Sequence, residues 1–218
     1  MTTLARLSDL DLAALLCSRV CHDVISPVGA IANGLELMDD PETDAEMRKT
    51  AFEMVKSSAL TATAKLKFCR IAFGASGSAG ALIDMTEAGD VAKGFVGHDK
   101  VALEWNVPRE NRPKQEVKLL LNMLLMALAG IPRGGVVRVA VDGRNFSVTA
   151  KGERAKINEA LASALDGSVE LTSLDARLVQ PYYARVLAEA SALKLSMYML
   201  SDDTVEIKAL PIEAQAAA

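Results

Sequence analysis

Cys21-His22-Asp23-Val24-Ile25-Ser26-Pro27-Val28-Gly29-Ala30-Ile31 is the stretch from which the fold can be read. It lies inside one long helical pattern that starts at Ser8 and runs to about Met38. Leu12, Leu16, Val20, Val24, Pro27, Ile31 and Leu35 recur at steps of three and four, which makes one continuous apolar stripe on a helix. Ser8, with Asp11 three residues on, supplies a capping-box start with acids in the first turn. Asp11, Ser18, Arg19, His22, Ser26, Asn33 and Glu36 fall on the other side, so His22 is expected to project into water. Pro27 removes one backbone donor and crowds the preceding turn; a bend just past His22 is expected, without an end to the helix.

Outward from that stretch, Asp40-Pro41 reads as the cap and first-turn proline of a second helix. Met47, Ala51, Met54, Val55, Ser58, Ala62, Leu66 and Ile71 carry its stripe until Gly74 stops it. Two long antiparallel helices result. One partner cannot hide stripes of this length, so pairing with a second hairpin into a homodimeric four-helix bundle is expected, with Leu12, Leu16, Val20 and Met54 at the dimer interface. The run Gly74-Ala75-Ser76-Gly77-Ser78-Ala79-Gly80 suits a flexible linker. The expected division is therefore residues 1–78 for the helical hairpin and 81–212 for a second domain.

Beyond the linker the period changes. Val101, Leu103, Trp105 and Val107 alternate with Lys100, Ala102, Glu104 and Asn106, the pattern of a half-buried strand. Val137, Val139 and Val141, then Phe146 and Val148 across Asp142-Gly143, read as a hairpin; Leu195, Met197 and Met199 with Val205 and Ile207 read as another. Helical patterns run from Pro113 to Ala129, Arg154 to Leu165 and Gln180 to Ala192. The fold class expected is α+β: a helical hairpin followed by a sandwich of helices on one face of a mixed sheet. Gly89, Gly94 and Gly97 match neither a P-loop nor a dinucleotide fingerprint and read as turn glycines, with His98 a turn residue beside them.

Composition narrows the classes. Of 218 residues 50% are hydrophobic, enough for a real core, and the net charge of -4 with scattered Lys and Arg gives no reason to expect nucleic acid. Cys17, Cys21 and Cys69 form neither a disulfide framework nor paired zinc knuckles, and they read as small buried residues of a chain in a reducing cytoplasm. The N-terminus lacks the blocks of a signal peptide, and the apolar stretch around 119–128 is too short to span a bilayer, so a soluble chain is expected, with no membrane partner. Met123, Met126, Met197 and Met199 sit at core spacings and read as packing.

The chemistry centres on His22. An imidazole attacks phosphorus only when one ring nitrogen is neutral and free, and a neighbouring carboxylate can hold the other nitrogen and fix the tautomer. Asp23 is placed for that; Arg19, one turn back, offers positive charge to a transferring phosphoryl group. Leu15, Ser18, Ile25, Ser26 and Gly29 flank His22 and are the expected contact surface for a protein partner. No metal or cofactor site is expected.

The His22-Asp23 string with Pro27 resembles the histidine box of two-component signalling kinases, and the whole chain resembles the dimeric histidine phosphotransferases of the ChpT type, built like the catalytic core of a sensor kinase. That resemblance implies a GHKL-ATPase-like second domain with a degenerate nucleotide site. Kinases of this layout carry Asn-Leu-Leu-x-Asn-Ala; here Asn122-Met123-Leu124-Leu125-Met126-Ala127 puts a thioether where magnesium would be held. Kinases read adenine with Asp-x-Gly-x-Gly; here the stretch is Ala150-Lys151-Gly152-Glu153-Arg154. Val179-Gln180-Pro181-Tyr182-Tyr183 stands where a glycine-rich lid would be. What the resemblance implies is a relay without ATP. His22 accepts phosphoryl from the receiver aspartate of a hybrid kinase (CckA-like) and passes it reversibly to response-regulator receivers (CtrA- or CpdR-like), with magnesium on the partner receiver only. An ATP-using kinase core and a non-enzymatic dimeric adaptor are the alternatives.

Overall fold

The structure is a computed structural model, described for residues 6–74, 80–97 and 100–212. Helix α1 (Asp9–Asp39) and helix α2 (Ala45–Ala72) form the antiparallel hairpin. Ser8 caps α1: its hydroxyl accepts from the Asp11 amide at 3.1 Å and donates to the Asp11 carboxylate at 2.6 Å. The helix continues through Pro27, which is buried. The two helices approach closely at Gly34, where a Cβ would sit 2.6 Å from Val55 Cγ2 and 3.1 Å from Met54 Cε. The turn differs from expectation. Asp40 ends α1, and Asp44, whose carboxylate accepts from the Met47 amide at 2.8 Å, starts α2. Pro41 thus belongs to the connection, because an aspartate followed by proline fits a turn as well as a cap.

Beyond the hairpin come β1 (Leu82–Asp84), α3 (Met85–Val96), β2 (Val101–Asn106), β3 (Asn111–Pro113), α4 (Lys114–Gly130), β4 (Gly135–Asp142), β5 (Asn145–Lys151), α5 (Glu159–Asp166), α6 (Val179–Ala190), β6 (Leu193–Ser201) and β7 (Thr204–Pro211). The mixed five-stranded sheet has the order β2-β4-β5-β7-β6, with β2 and β4 parallel and the remaining neighbours antiparallel. Both expected hairpins form. Asp142 pairs with Asn145 across a turn in which Gly143 takes φ 56°, the left-handed backbone glycine adopts without strain. β1 and β3 make a separate two-stranded ribbon that the alternation in the sequence was too short to reveal.

Two sequence readings are corrected in this half. Gly89 and Gly94 are inside α3, not in turns; only Gly97, at φ 69°, ends the helix. Gly89 is where Trp105 of β2 crosses: a Cβ there would lie 2.7 Å from the indole nitrogen, so the missing side chain serves packing. The pattern from Arg154 produces a helix only from Glu159, with Asn158 as its cap, because Arg154 takes φ 58° and turns the chain first. His98 and most of the expected linker, 75–79, lie outside the described residues.

The core unites the two halves. Phe68, Ile71 and Ala72 at the end of α2 are buried in the same cluster as Leu120, Met123, Leu124 and Met126 of α4 and Val137, Val139, Phe146 and Val148 of the sheet. Phe68 also stacks on Phe95 of α3, with ring centroids 4.2 Å apart. A polar node lies beside these rings. The buried Asn122 amide donates to the Ala72 carbonyl at 3.2 Å and to the Lys118 carbonyl at 2.8 Å, and the Gln180 amide donates to the Asn122 backbone carbonyl at 2.8 Å. Asn122→Ala strands the Ala72 carbonyl and part of the Gln180 amide away from water, so it is expected to cost about 1–3 kcal/mol in urea unfolding. An unchanged midpoint would show that this node does not tie the hairpin to the sheet.

Candidate functional site

His22 stands midway along α1, with its side chain 57% exposed, whereas Asp23 and Arg19 beside it are 15% and 20% exposed. One helical turn explains the difference: position 22 faces outward, and positions 19 and 23 lean toward the seam with α2. His22 Nδ1 lies 3.4 Å from one Asp23 carboxylate oxygen, and the Arg19 Nε donates to the other at 2.9 Å. From α2, the Lys65 ammonium donates to the Asp23 backbone carbonyl at 2.9 Å. The tautomer with its proton on Nδ1 is the one that can face Asp23, and it leaves the Nε2 lone pair pointing outward.

Arg19 therefore differs from the sequence reading. Its guanidinium is committed to Asp23 instead of standing free beside His22, since at four residues' spacing on a helix an Arg and an Asp meet directly. Lys65, which the sequence reading missed, comes from the second helix; nothing in the local pattern around His22 marks it, because register between helices is a tertiary property.

The flanking residues divide. Ser18, Ile25, Ser26 and Gly29 are exposed around His22, with Ile25 71% exposed. A Cβ on Gly29 would meet nothing within 4 Å, so the absence of a side chain there leaves the outer surface low and open. Leu15, expected with them, packs instead with Leu12 against Tyr182, Leu174 and Leu178 of the second half. The start of α6 lies along the first turns of α1, and the Leu7 amide donates to the Tyr182 hydroxyl at 2.9 Å. Leu12 and Met54, expected at a dimer interface, are partly exposed and also touch neighbours within the chain, Leu12 toward α6 and Met54 over Gly34. A helical wheel identifies an apolar face but not which neighbour covers it.

Leu16 and Val20 remain on an open face. With Ala13, Cys17, Leu66 and Phe73 they line a groove of about 490 Å³ along the hairpin. Leu10, Val28 and Leu35 of α1 and Phe52 of α2 are exposed as well. Cys17 and Cys21, read as buried, are exposed, and only Cys69 is buried. Among the described residues no three of His, Cys, Asp and Glu converge as metal ligands. By length and composition alone α1 is apolar enough to cross a membrane, a property the reading of 119–128 overlooked; the helix carries the Arg19–Asp23 pair at its middle and packs against α2 and α6.

In the second half, two positions that the sequence comparison with kinases singled out lie in the core. Met126 and Ala150 are fully buried, and the Asn122 side chain is turned into the node with Ala72 and Gln180. Arg154 keeps, at φ 58°, a backbone conformation that glycine would take without strain.

An outward imidazole beside a carboxylate on a helical hairpin, joined to a helix-backed mixed sheet, is an arrangement suited to a phosphotransfer protein. The family model for the histidine phosphotransferase C-terminal domain matches residues 85–202. The chain is 45% identical over 203 residues to the protein phosphotransferase ChpT of Brucella abortus (strain 2308), covering 91% of this chain and 95% of that relative. A solved 1.7 Å structure of a bacterial phosphotransferase aligns with a TM-score of 0.85 at 40% identity, over 95% of this chain and 100% of that one. The chain belongs to the histidine phosphotransferase family.

Beneath the site, burial pushes the Cys69 thiol up to about 11 from an ordinary 9.0, with Asp23 adding to the rise and Arg19 and Lys65 opposing it. The unfolded chain releases this proton near 9.0 and the folded chain holds it to about 11. The stabilisation is complete below the lower value and is lost as pH rises through the window. Urea unfolding of the native chain should weaken more steeply between pH 9.0 and about 11 than that of Cys69→Ala; parallel profiles would contradict the burial argument.

Proposed function

We propose that this chain is a phosphorelay intermediate whose phosphoacceptor is His22, taking phosphoryl from the receiver aspartate of a hybrid kinase (CckA-like) and passing it to response-regulator receivers (CtrA- or CpdR-like). The observation that carries the reading is the exposed imidazole beside Asp23, itself held by Arg19. In the transfer, His22 Nε2 attacks phosphorus in line, the bond from phosphorus to the aspartyl oxygen breaks, and the receiver carboxylate leaves with the electron pair. The Nδ1 proton stays on the ring, and Asp23 stabilises the cationic imidazole of the phosphorylated product. Ser18, Ile25, Ser26 and Gly29 form the docking face, and magnesium is supplied on the receiver.

ATP takes no part in this reading. Met126 gives no hard ligand for magnesium, and Ala150 offers no carboxylate to an adenine. The hairpin, residues 1–78, serves dimerisation and transfer, while 81–212 is a GHKL-ATPase-like scaffold with a degenerate nucleotide site. The protein acts in the cytoplasm as a soluble homodimer. The groove lined by Leu16 and Val20, continued by the exposed Val28, Leu35 and Phe52, is the face on which two hairpins build a four-helix bundle.

Incubation with a phosphorylated receiver domain should label the chain, and His22→Gln should reduce labelling at least about a hundredfold. Labelled ATP alone should give no labelled protein. Transfer surviving His22→Gln would move the acceptor elsewhere, and autophosphorylation from ATP would make the chain a kinase. For the dimer, Val20→Asp places an unpaired carboxylate in the bundle, costing on the order of several kcal/mol. Light scattering should then report one chain of 23.1 kDa; a persistent dimer would place the interface on another face.

A further inference from the structure

An α-helix bonds each amide to the carbonyl four residues earlier, and proline has no amide hydrogen to give. In α1 that residue is Pro27, and the carbonyl four residues before it belongs to Asp23, the neighbour of His22. The pyrrolidine ring also crowds that carbonyl and tips it off the helix axis. The helix nevertheless continues, and the Asp23 carbonyl accepts from the Lys65 ammonium of α2 at 2.9 Å. Pro27 is buried and the Asp23 side chain lies mostly in the seam, so this carbonyl sits on the sheltered side of α1, where an unmade bond is costly. A cation from the neighbouring helix takes the place of the missing amide.

Asp23 is consequently gripped twice. Arg19 holds its carboxylate from within α1 at 2.9 Å, and Lys65 holds its backbone from α2. The turn that carries His22 and Asp23 has given up one bond of its own ladder and takes its orientation from the other helix instead. His22 Nδ1 stands 3.4 Å from the Asp23 carboxylate, a separation that any rotation of this turn would change. We infer that Lys65 is a positioning residue for phosphotransfer: by standing in for the amide that Pro27 lacks, it fixes the turn that aims the His22 imidazole at phosphorus. It touches neither the phosphoryl group nor the receiver. The positioning role rests on the reading of His22 as acceptor; the replacement of the amide by Lys65 does not. In-line attack tolerates little misalignment, a displacement of about 1 Å costing on the order of a hundredfold, so a loosened turn slows transfer without weakening docking.

The test is a double-mutant cycle in the full chain with Lys65→Met and Pro27→Ala, read by transfer from a phosphorylated receiver domain and by urea unfolding. Lys65→Met keeps an unbranched stem and removes the donor, whereas Pro27→Ala restores an amide hydrogen to the Asp23 carbonyl. With Pro27 present, Lys65→Met should lower the maximal transfer rate at least about tenfold and change the half-saturating receiver concentration less than about twofold. With Pro27→Ala, the further cost of Lys65→Met should shrink to under about twofold, whatever rate Pro27→Ala shows by itself. The urea midpoint should follow the same pattern, falling on Lys65→Met only while Pro27 is in place. An unchanged rate in Lys65→Met, or an equal loss of rate with and without Pro27, would overturn the positioning role. A raised half-saturation with the maximal rate intact would also overturn it and make Lys65 a docking residue. Equal midpoint losses with and without Pro27 would overturn the replacement of the amide. If no phosphorylated receiver labels the native chain, the relay reading and the positioning role fail together, and the unfolding cycle decides the amide replacement by itself.

Discussion

The end of α2 is shared between two structures, and that sharing is the constraint from which the rest follows. Phe68, Ile71 and Ala72 complete the hairpin and at the same time fill the core of the sheet half. Each large side chain buried there contributes on the order of 2 kcal/mol from apolar area alone. The Asn122 amide, bonded to the Ala72 carbonyl at 3.2 Å, adds direction to what the apolar contacts supply as strength. Because the helix cannot leave one half without uncovering the other, the second half is anchored to the hairpin instead of being merely tethered by the linker. Tyr182, with its hydroxyl bonded to the Leu7 amide and its ring against Leu12 and Leu15, makes a second attachment near the start of α1.

His22 lies further along α1, level with Lys65 of α2. In the proposed transfer two opposite requirements fall one residue apart: the imidazole must be open to a second protein, and the carboxylate beside it must be held. The helix satisfies both by geometry. Position 22 faces out, while position 23 turns toward the seam, where Arg19 and Lys65 meet it from the two helices. Partial shielding from water strengthens those contacts relative to surface ion pairs. Burial of Cys69, whose thiol is raised chiefly by loss of solvent and further by Asp23, shows how dry the underside of this helix seam is.

The second half sets its helices on a mixed sheet around a tightly filled core. Met126 of α4 and Ala150 of β5 are both fully buried in it. Arg154 takes a left-handed backbone, φ 58°, in the turn that leads from β5 toward α5. Packing of this kind keeps the second half shaped and fixed against the hairpin.

By itself the sequence determined most of the long elements and a candidate acceptor. The 3.6-residue period around His22 laid out α1, the alternation at Val101 and the Asp142-Gly143 turn laid out strands, and the His-Asp pair marked the chemistry, because helix and strand periodicity and side-chain chemistry are local. It also carried the departures at Met126 and Ala150. What only the tertiary structure decided was who covers which face: Leu12 and Leu15 against α6, Met54 over Gly34, Lys65 against Asp23, and Gly89 inside a helix under Trp105. Each of these depends on the register between elements far apart in the chain. That register is set by the summed packing of all of them, and no short window of sequence contains it.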